Sequence, residues 1–157
     1  MTTQRPWAAR AAVSAFVLLA ACSGRSPEQY MASARDYIER ADFPAAVIQA
    51  RNAVKAEPER SEARLLLGTA LLKANDPVAA DSEFRKALAL GAPRDTVLPL
   101  LAQALLGSGR ADVLVREFAD KPPAETAARA QFDAALGDAY SEPAADVRGY
   151  IDYVRSQ

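Results

Sequence analysis

The chain repeats itself every 34 residues. Ala46, Ala80 and Leu114 fall at that interval, and so do Ala50, Phe84 and Phe118. Tyr37, Leu71 and Leu105 keep the same spacing, as do Ala34, Gly68 and Ala102, while Ala53 and Ala87 extend the match through the first two copies. Self-similarity of this period restricts the fold to a stack of one supersecondary unit. Within a copy, a small residue precedes a larger apolar one by three positions, a turn follows, and a second pair stands four positions apart. Residues three and four apart share a helix face. The small residue admits a neighbouring helix closely and the large one fills the space beside it. Each copy therefore reads as two short antiparallel helices that cannot bury their faces alone, and stacking the copies buries a continuous stripe.

Composition and punctuation support helices throughout. Ala, Leu, Glu and Arg, all strong helix formers, dominate, and β-branched runs are scarce. Asp42-Phe43-Pro44, Asn75-Asp76-Pro77 and Gly107-Ser108-Gly109 fall at the turns inside pairs. Asp or Asn before Pro suits a helix start, because the missing proline N–H would be unbonded in the first turn anyway. Pro58, Pro93 and Pro122-Pro123 separate the pairs. The spacing predicts helices near 27–40, 43–56, 61–73, 77–90, 95–107, 111–119, 125–139 and 144–155. Pro99 is expected in the first turn of its helix, where it costs little. The fold class is all-α: stacked antiparallel helix pairs in an α-solenoid of about three and a half copies, near 27–60, 61–94, 95–123 and, in part, 125–157. The last copy starts late, with Leu136-Gly137 and Tyr140 one residue off strict period, and Gly149 and Tyr153 stand four apart within it. Val147, Tyr150, Ile151 and Val154 form an apolar stripe at helical spacing. That stripe packs inward as a cap or waits for a further copy.

The N-terminus carries a separate signal. Arg5 and Arg10 form a basic flank, Ala11 to Ala20 is a run of mostly apolar residues, and Leu19-Ala20-Ala21-Cys22 ends it with the only cysteine. The run is about half of the ~20 residues a membrane-spanning helix needs. This order resembles the lipobox of bacterial lipoproteins, which implies cleavage of residues 1–21, lipidation of Cys22 and a short tether over 22–26. An ordinary secretory signal with a chance cysteine, or a buried free thiol, are the other readings of the same residues. One cysteine permits no internal disulfide, so packing alone must hold the fold.

The chain offers little for chemistry. It has no histidine, so no Ser-His-Asp set can form. No loop has calcium-binding spacing, and Gly107-Ser108-Gly109 is too short to cradle a phosphate. Nineteen basic and 20 acidic residues leave no basic patch for nucleic acid. Glu57 and Glu59 read as a solvated turn. The chain is expected not to be an enzyme, and to use no cofactor, metal or small-molecule substrate.

The repeat resembles the tetratricopeptide repeat. The clearest copy, from Ser61 to about Arg94, places Leu67-Gly68, Leu71, Ala80, Phe84 and Ala87 at that family's signature offsets. The resemblance implies a right-handed superhelix whose concave groove is lined by the first helix of each pair. Arg35, Thr69 and Gln103 are the matching positions, with Glu39 and Lys73 one turn further on and Met31, Ile38 and Leu65 as apolar contacts. A protein or peptide partner is expected there, held by a few anchors. Ala21-Cys22-Ser23-Gly24, Ser26-Pro27-Glu28, Ala32 to Tyr37, Ser61 to Gly68 and Phe84 to Gly91 further resemble the repeat-bearing lipoproteins of the PEP-CTERM/exosortase system, over roughly 15–120. Those proteins accompany exopolysaccharide gene clusters and are longer arrays. The resemblance implies a lipid-anchored periplasmic scaffold in envelope export. Ser23, rather than aspartate, after the cysteine points to the outer membrane rather than the inner. A structural subunit of an outer-membrane or pilus assembly, or a fragment of a longer repeat protein, are the alternatives.

Overall fold

The computed structural model describes residues 25–141, and these fold into seven α-helices with no strand among them. The helices are α1 (Pro27–Glu39), α2 (Phe43–Ala56), α3 (Ser61–Lys73), α4 (Pro77–Ala89), α5 (Arg94–Gly107), α6 (Ala111–Phe118) and α7 (Thr126–Ser141). The segment 1–21, Cys22, and the helix expected over 144–155 with its stripe of Val147, Tyr150, Ile151 and Val154 lie outside the described residues.

The helix starts follow the punctuation. Ser26 opens α1 with a capping box: its hydroxyl oxygen accepts from the Gln29 N–H while the Gln29 side chain accepts from the Ser26 N–H. Asp42 and Asp76 cap α2 and α4, accepting from the N–H groups of Ala45 and Ala79 at 3.2 and 3.1 Å, with Pro44 and Pro77 in the first turns.

The turn inside each pair is a backbone device that repeats with the sequence. Ala41, Asn75 and Gly109 all adopt left-handed φ, at 57°, 61° and 68°, and stand 34 residues apart. Around each, the same two bonds close the preceding helix. Asp42 N–H donates to the Tyr37 carbonyl and Ala41 N–H to that of Ile38. Asp76 and Asn75 do likewise to Leu71 and Leu72, and Arg110 and Gly109 to Leu105 and Leu106. This Schellman closure needs a residue tolerant of positive φ, which asparagine and glycine supply and alanine meets only with strain.

Packing follows from the small–large pairing. The two helices of the first pair, α1 with α2, and of the second, α3 with α4, make the most extensive contacts, and α2 with α3 and α4 with α5 join one pair to the next. Ala34, Ala46, Ala50 and Ala53 fill the first pair, and Gly68, Leu71, Ala80, Phe84 and Ala87 the second. Phe84 is fully buried, and its ring lies so close to α3 that a Cβ built on Gly68 would stand 2.7 Å from Cδ1 and Cε1. One core runs from Met31 to Ala139.

The third pair departs from this plan. α6 has only eight residues, and α5 packs more extensively on α7 than on α6. α7 supplies Ala128, Phe132, Ala135 and Ala139, a buried stripe at helical spacing. The linker between α6 and α7 is tied to the start of α5: Ala124 N–H donates to the Asp95 carboxylate at 2.6 Å, Arg94 donates to the Lys121 carbonyl at 3.0 Å, and Pro123 is buried. Pro99 corrects one expectation. It is the sixth residue of α5, beyond the first turn, so it removes the bond that would reach the Asp95 carbonyl. Its ring is buried in the core, which offsets part of that loss.

Two outcomes follow for stability. Gly68→Ala forces the locked Phe84 ring to move and is expected to lower stability by about 1–3 kcal/mol in urea unfolding. Ala41→Gly relieves a strained left-handed alanine and is expected to raise stability, by about 0.5–1 kcal/mol after the extra unfolded-state entropy of glycine is discounted.

Candidate functional site

The first helices of successive pairs meet along one side, α1 with α3 and α3 with α5. Between them lies a shallow depression of about 280 Å³ lined by Arg35 from α1, Glu62, Leu65, Leu66 and Thr69 from α3, and Thr96 and Leu100 from α5. The repeat builds it. Arg35 and Thr69 are one repeat apart, as are Glu62 and Thr96, and Leu66 and Leu100. Equivalent positions on neighbouring units face the same side, so each step of the stack adds another set of the same polar and apolar rows.

Of the five groove positions read from the sequence, the structure brings two into this depression, Arg35 and Thr69, and Leu65 joins them as an apolar wall. Glu39 and Lys73 are exposed one helical turn beyond Arg35 and Thr69, and Gln103 is exposed three residues past Leu100. None of these three lines the depression. Glu62, Thr96, Leu66 and Leu100 stand at registers that the resemblance does not assign to the groove. The period carries them, since each pair keeps the 34-residue interval at the register next to Arg35 and Thr69.

The rim is a chain of ion pairs. Arg35 pairs with Glu62, both about half exposed. Glu62 also meets Arg60 at 3.4 Å, and Arg60 in turn holds Glu28 at 2.6 Å and Glu57 at 3.0 Å. This line joins α1 and α3 through the turn between α2 and α3. The Arg60 guanidinium beside Glu28 holds that carboxyl below its usual range, and Glu28 with Glu57 raises Arg60. Ion pairs this exposed are screened by solvent and contribute little to stability. Arg35 can therefore exchange Glu62 for a carboxylate or carbonyl on a partner at small cost. The Thr69 hydroxyl donates to the Leu65 carbonyl at 2.9 Å within its own helix, which leaves its oxygen free to accept from a partner N–H. Leu65, Leu66 and Leu100 give the floor apolar contact.

Stronger electrostatics lie away from the depression and hold helices together. Asp81 is the only buried charged residue among those described. It accepts from Arg85 at 2.7 Å and from Arg110, while Arg85 reaches Glu117 at 2.7 Å and stacks over the Phe118 ring at 5.5 Å from its centroid. This network pins α6 to α4. Burial alone would lower the Arg85 guanidinium, but Glu117 and Asp81 outweigh it and raise it. On the other side of α4, Arg64 and Lys86 meet Glu83 at 2.9 and 2.6 Å. Burial alone would raise the Glu83 carboxyl, but hydrogen bonds from Lys86 and Arg64 outweigh it and hold it below the ordinary 4.5. No group of three or more potential metal ligands gathers among the described residues, and no helix there is long and apolar enough to cross a membrane.

A carboxyl whose folded pKa is lowered stabilises the fold above its unfolded value and loses that contribution as pH falls through the folded one. Glu83→Gln is therefore expected to cost about 1 kcal/mol or less at pH 7, screened as the site is. The gap from wild type should close as pH drops below about 4.5. Urea unfolding of both proteins across the acid range checks this, and a gap that stays constant contradicts it.

No protein-family model matches the chain, and no curated protein matches it either.

Proposed function

We propose that this protein is a lipid-anchored scaffold of the bacterial envelope. On this reading Cys22 carries the lipid, the helical array faces the periplasm from the outer membrane, and an extended segment of a partner protein lies across the first helices. The observation that carries the binding role is the depression between α1, α3 and α5, with its apolar floor of Leu65, Leu66 and Leu100 and its exchangeable Arg35–Glu62 rim. A partner strand would be oriented by Arg35 at one edge and the Thr69 oxygen beside it, while the repeat extends equivalent contacts to Gln103. The order of basic flank, apolar run and cysteine supports the anchor, since acyl chains contribute about 0.8 kcal/mol per buried CH₂. Participation in exopolysaccharide export rests on the resemblance over roughly 15–120. A binding role fits the groove better than catalysis: the chain has no histidine, and the charged groups of the rim are paired at the surface rather than aimed into an enclosed site.

The test combines labelling with crosslinking. Cells fed a clickable fatty acid should label the wild-type protein in the outer-membrane fraction and leave Cys22→Ala unlabelled. A photo-crosslinking residue at Thr96 should then yield a discrete protein adduct that Arg35→Gln, at a half-exposed rim position, weakens without lowering the melting temperature. Unlabelled wild type refutes the anchor, and an adduct indifferent to Arg35→Gln refutes the groove.

A further inference from the structure

Most basic side chains on the described helices are neutralised by a neighbouring carboxylate, as in the pairs of Arg35, Arg60, Arg64 and Arg110. Among the described residues Arg25, Arg51, Lys55, Lys73 and Arg94 pair with no carboxylate, and the first three belong to the first helix pair and the residue before it. Arg25 and Lys55 flank a depression of about 340 Å³ whose lining is completed by Tyr30, Asn52 and Ala56. Glu28 and Glu57 are both held by Arg60, and Glu59, exposed in the turn four residues past Lys55, makes no ion pair with these cations. Arg51 and Lys55 belong to a stripe along the outer side of α2, Ile48, Arg51, Asn52 and Lys55, opposite its buried residues Ala46, Ala50 and Ala53. Such spacing keeps the stripe on one face over about 10 Å. Ile48 is 58 % exposed, one of the few large apolar side chains open to solvent among the described residues.

An exposed isoleucine set among uncompensated cations has the chemistry of a surface that lies on lipid headgroups. The position agrees. Arg25 is three residues from Cys22, and three residues reach at most about 11 Å. We propose that this end of the array is a membrane-facing surface for anionic phospholipid, with the headgroup phosphate seated between Arg25 and Lys55, Arg51 beside it, and Ile48 entering the headgroup layer. The orientation this sets rests on Cys22 being the anchor, whereas the headgroup preference belongs to the folded surface itself. Docked this way, the array stands on its first pair and holds its later helices away from the bilayer.

The test is flotation of the full chain carrying Cys22→Ala with vesicles of phosphatidylcholine alone or mixed with phosphatidylglycerol. Any contribution of the apolar N-terminal run is common to the variants compared. The protein is expected to prefer the anionic vesicles, with the preference falling about five-fold for each of Arg25→Gln, Arg51→Gln and Lys55→Gln and lessening as salt rises. Ile48→Ser should weaken binding further, and Lys121→Gln, at the far end, should leave it unchanged, with melting temperatures equal throughout. Equal preference in wild type and the charge variants overturns the proposal. So does release by inorganic phosphate at constant ionic strength, which would identify a site for free phosphate instead. Fatty-acid labelling of the wild type separates the two readings: label with no headgroup preference removes this surface alone, and headgroup preference without label removes the anchor alone.

Discussion

The array depends on how closely two helices can approach. At Gly68 the absence of a side chain lets the fully buried Phe84 ring lie against α3. Alanine performs the same service in the first pair, at Ala34, Ala46 and Ala50. Close approach turns two weak helices into one unit, since isolated helices of 13 or 14 residues are marginal in water. It also places the first helices side by side, which creates the depression. Fold and groove are thus consequences of one steric allowance, repeated at a fixed interval.

What the amino-acid sequence made legible was whatever repeats. The helix limits agree with the punctuation to within a residue or two, because Asp42, Asp76 and the prolines act locally through caps and missing donors. The third pair was not legible in the same way. Its turn has Arg110 where the others have aspartate, so no side chain caps α6, and the guanidinium instead reaches Asp81 on α4. That is a contact across 29 residues, and no periodic pattern announces it. The shift of α5 toward α7 likewise depends on Phe132 and on the linker tied at Asp95, contacts with no counterpart in the first two pairs. The groove was half legible. The 34-residue register that the repeat resemblance assigns to the groove includes Arg35 and Thr69, whereas Glu62 and Leu100 stand at neighbouring registers outside it.

The charged groups divide by environment rather than by number. Asp81, Glu83 and Arg64 are shielded and join helices, so their pairing is part of the architecture. Arg35 and Glu62 are half exposed and can be rearranged by a ligand. Arg25, Arg51 and Lys55 meet no carboxylate among the described residues and lie toward the surface of the first pair. The same residue types therefore serve as rivets, as a movable rim and as an outward-facing patch, and only the structure distinguishes them.

The turns at Ala41, Asn75 and Gly109 show that the unit is defined by backbone shape more than by residue identity. Three different side chains occupy one conformation, and the closing hydrogen bonds come entirely from the main chain. A stretch such as 61–94 consequently contains its own stop, its own restart at Asp76 and its own interlocking pair. Copying or deleting such a stretch as a whole would leave the neighbouring turns intact. The length of the array is then a property that evolution, or an engineer, can adjust in whole modules, while the irregular α6–α7 segment, whose contacts are particular to it, offers no such interchangeable unit.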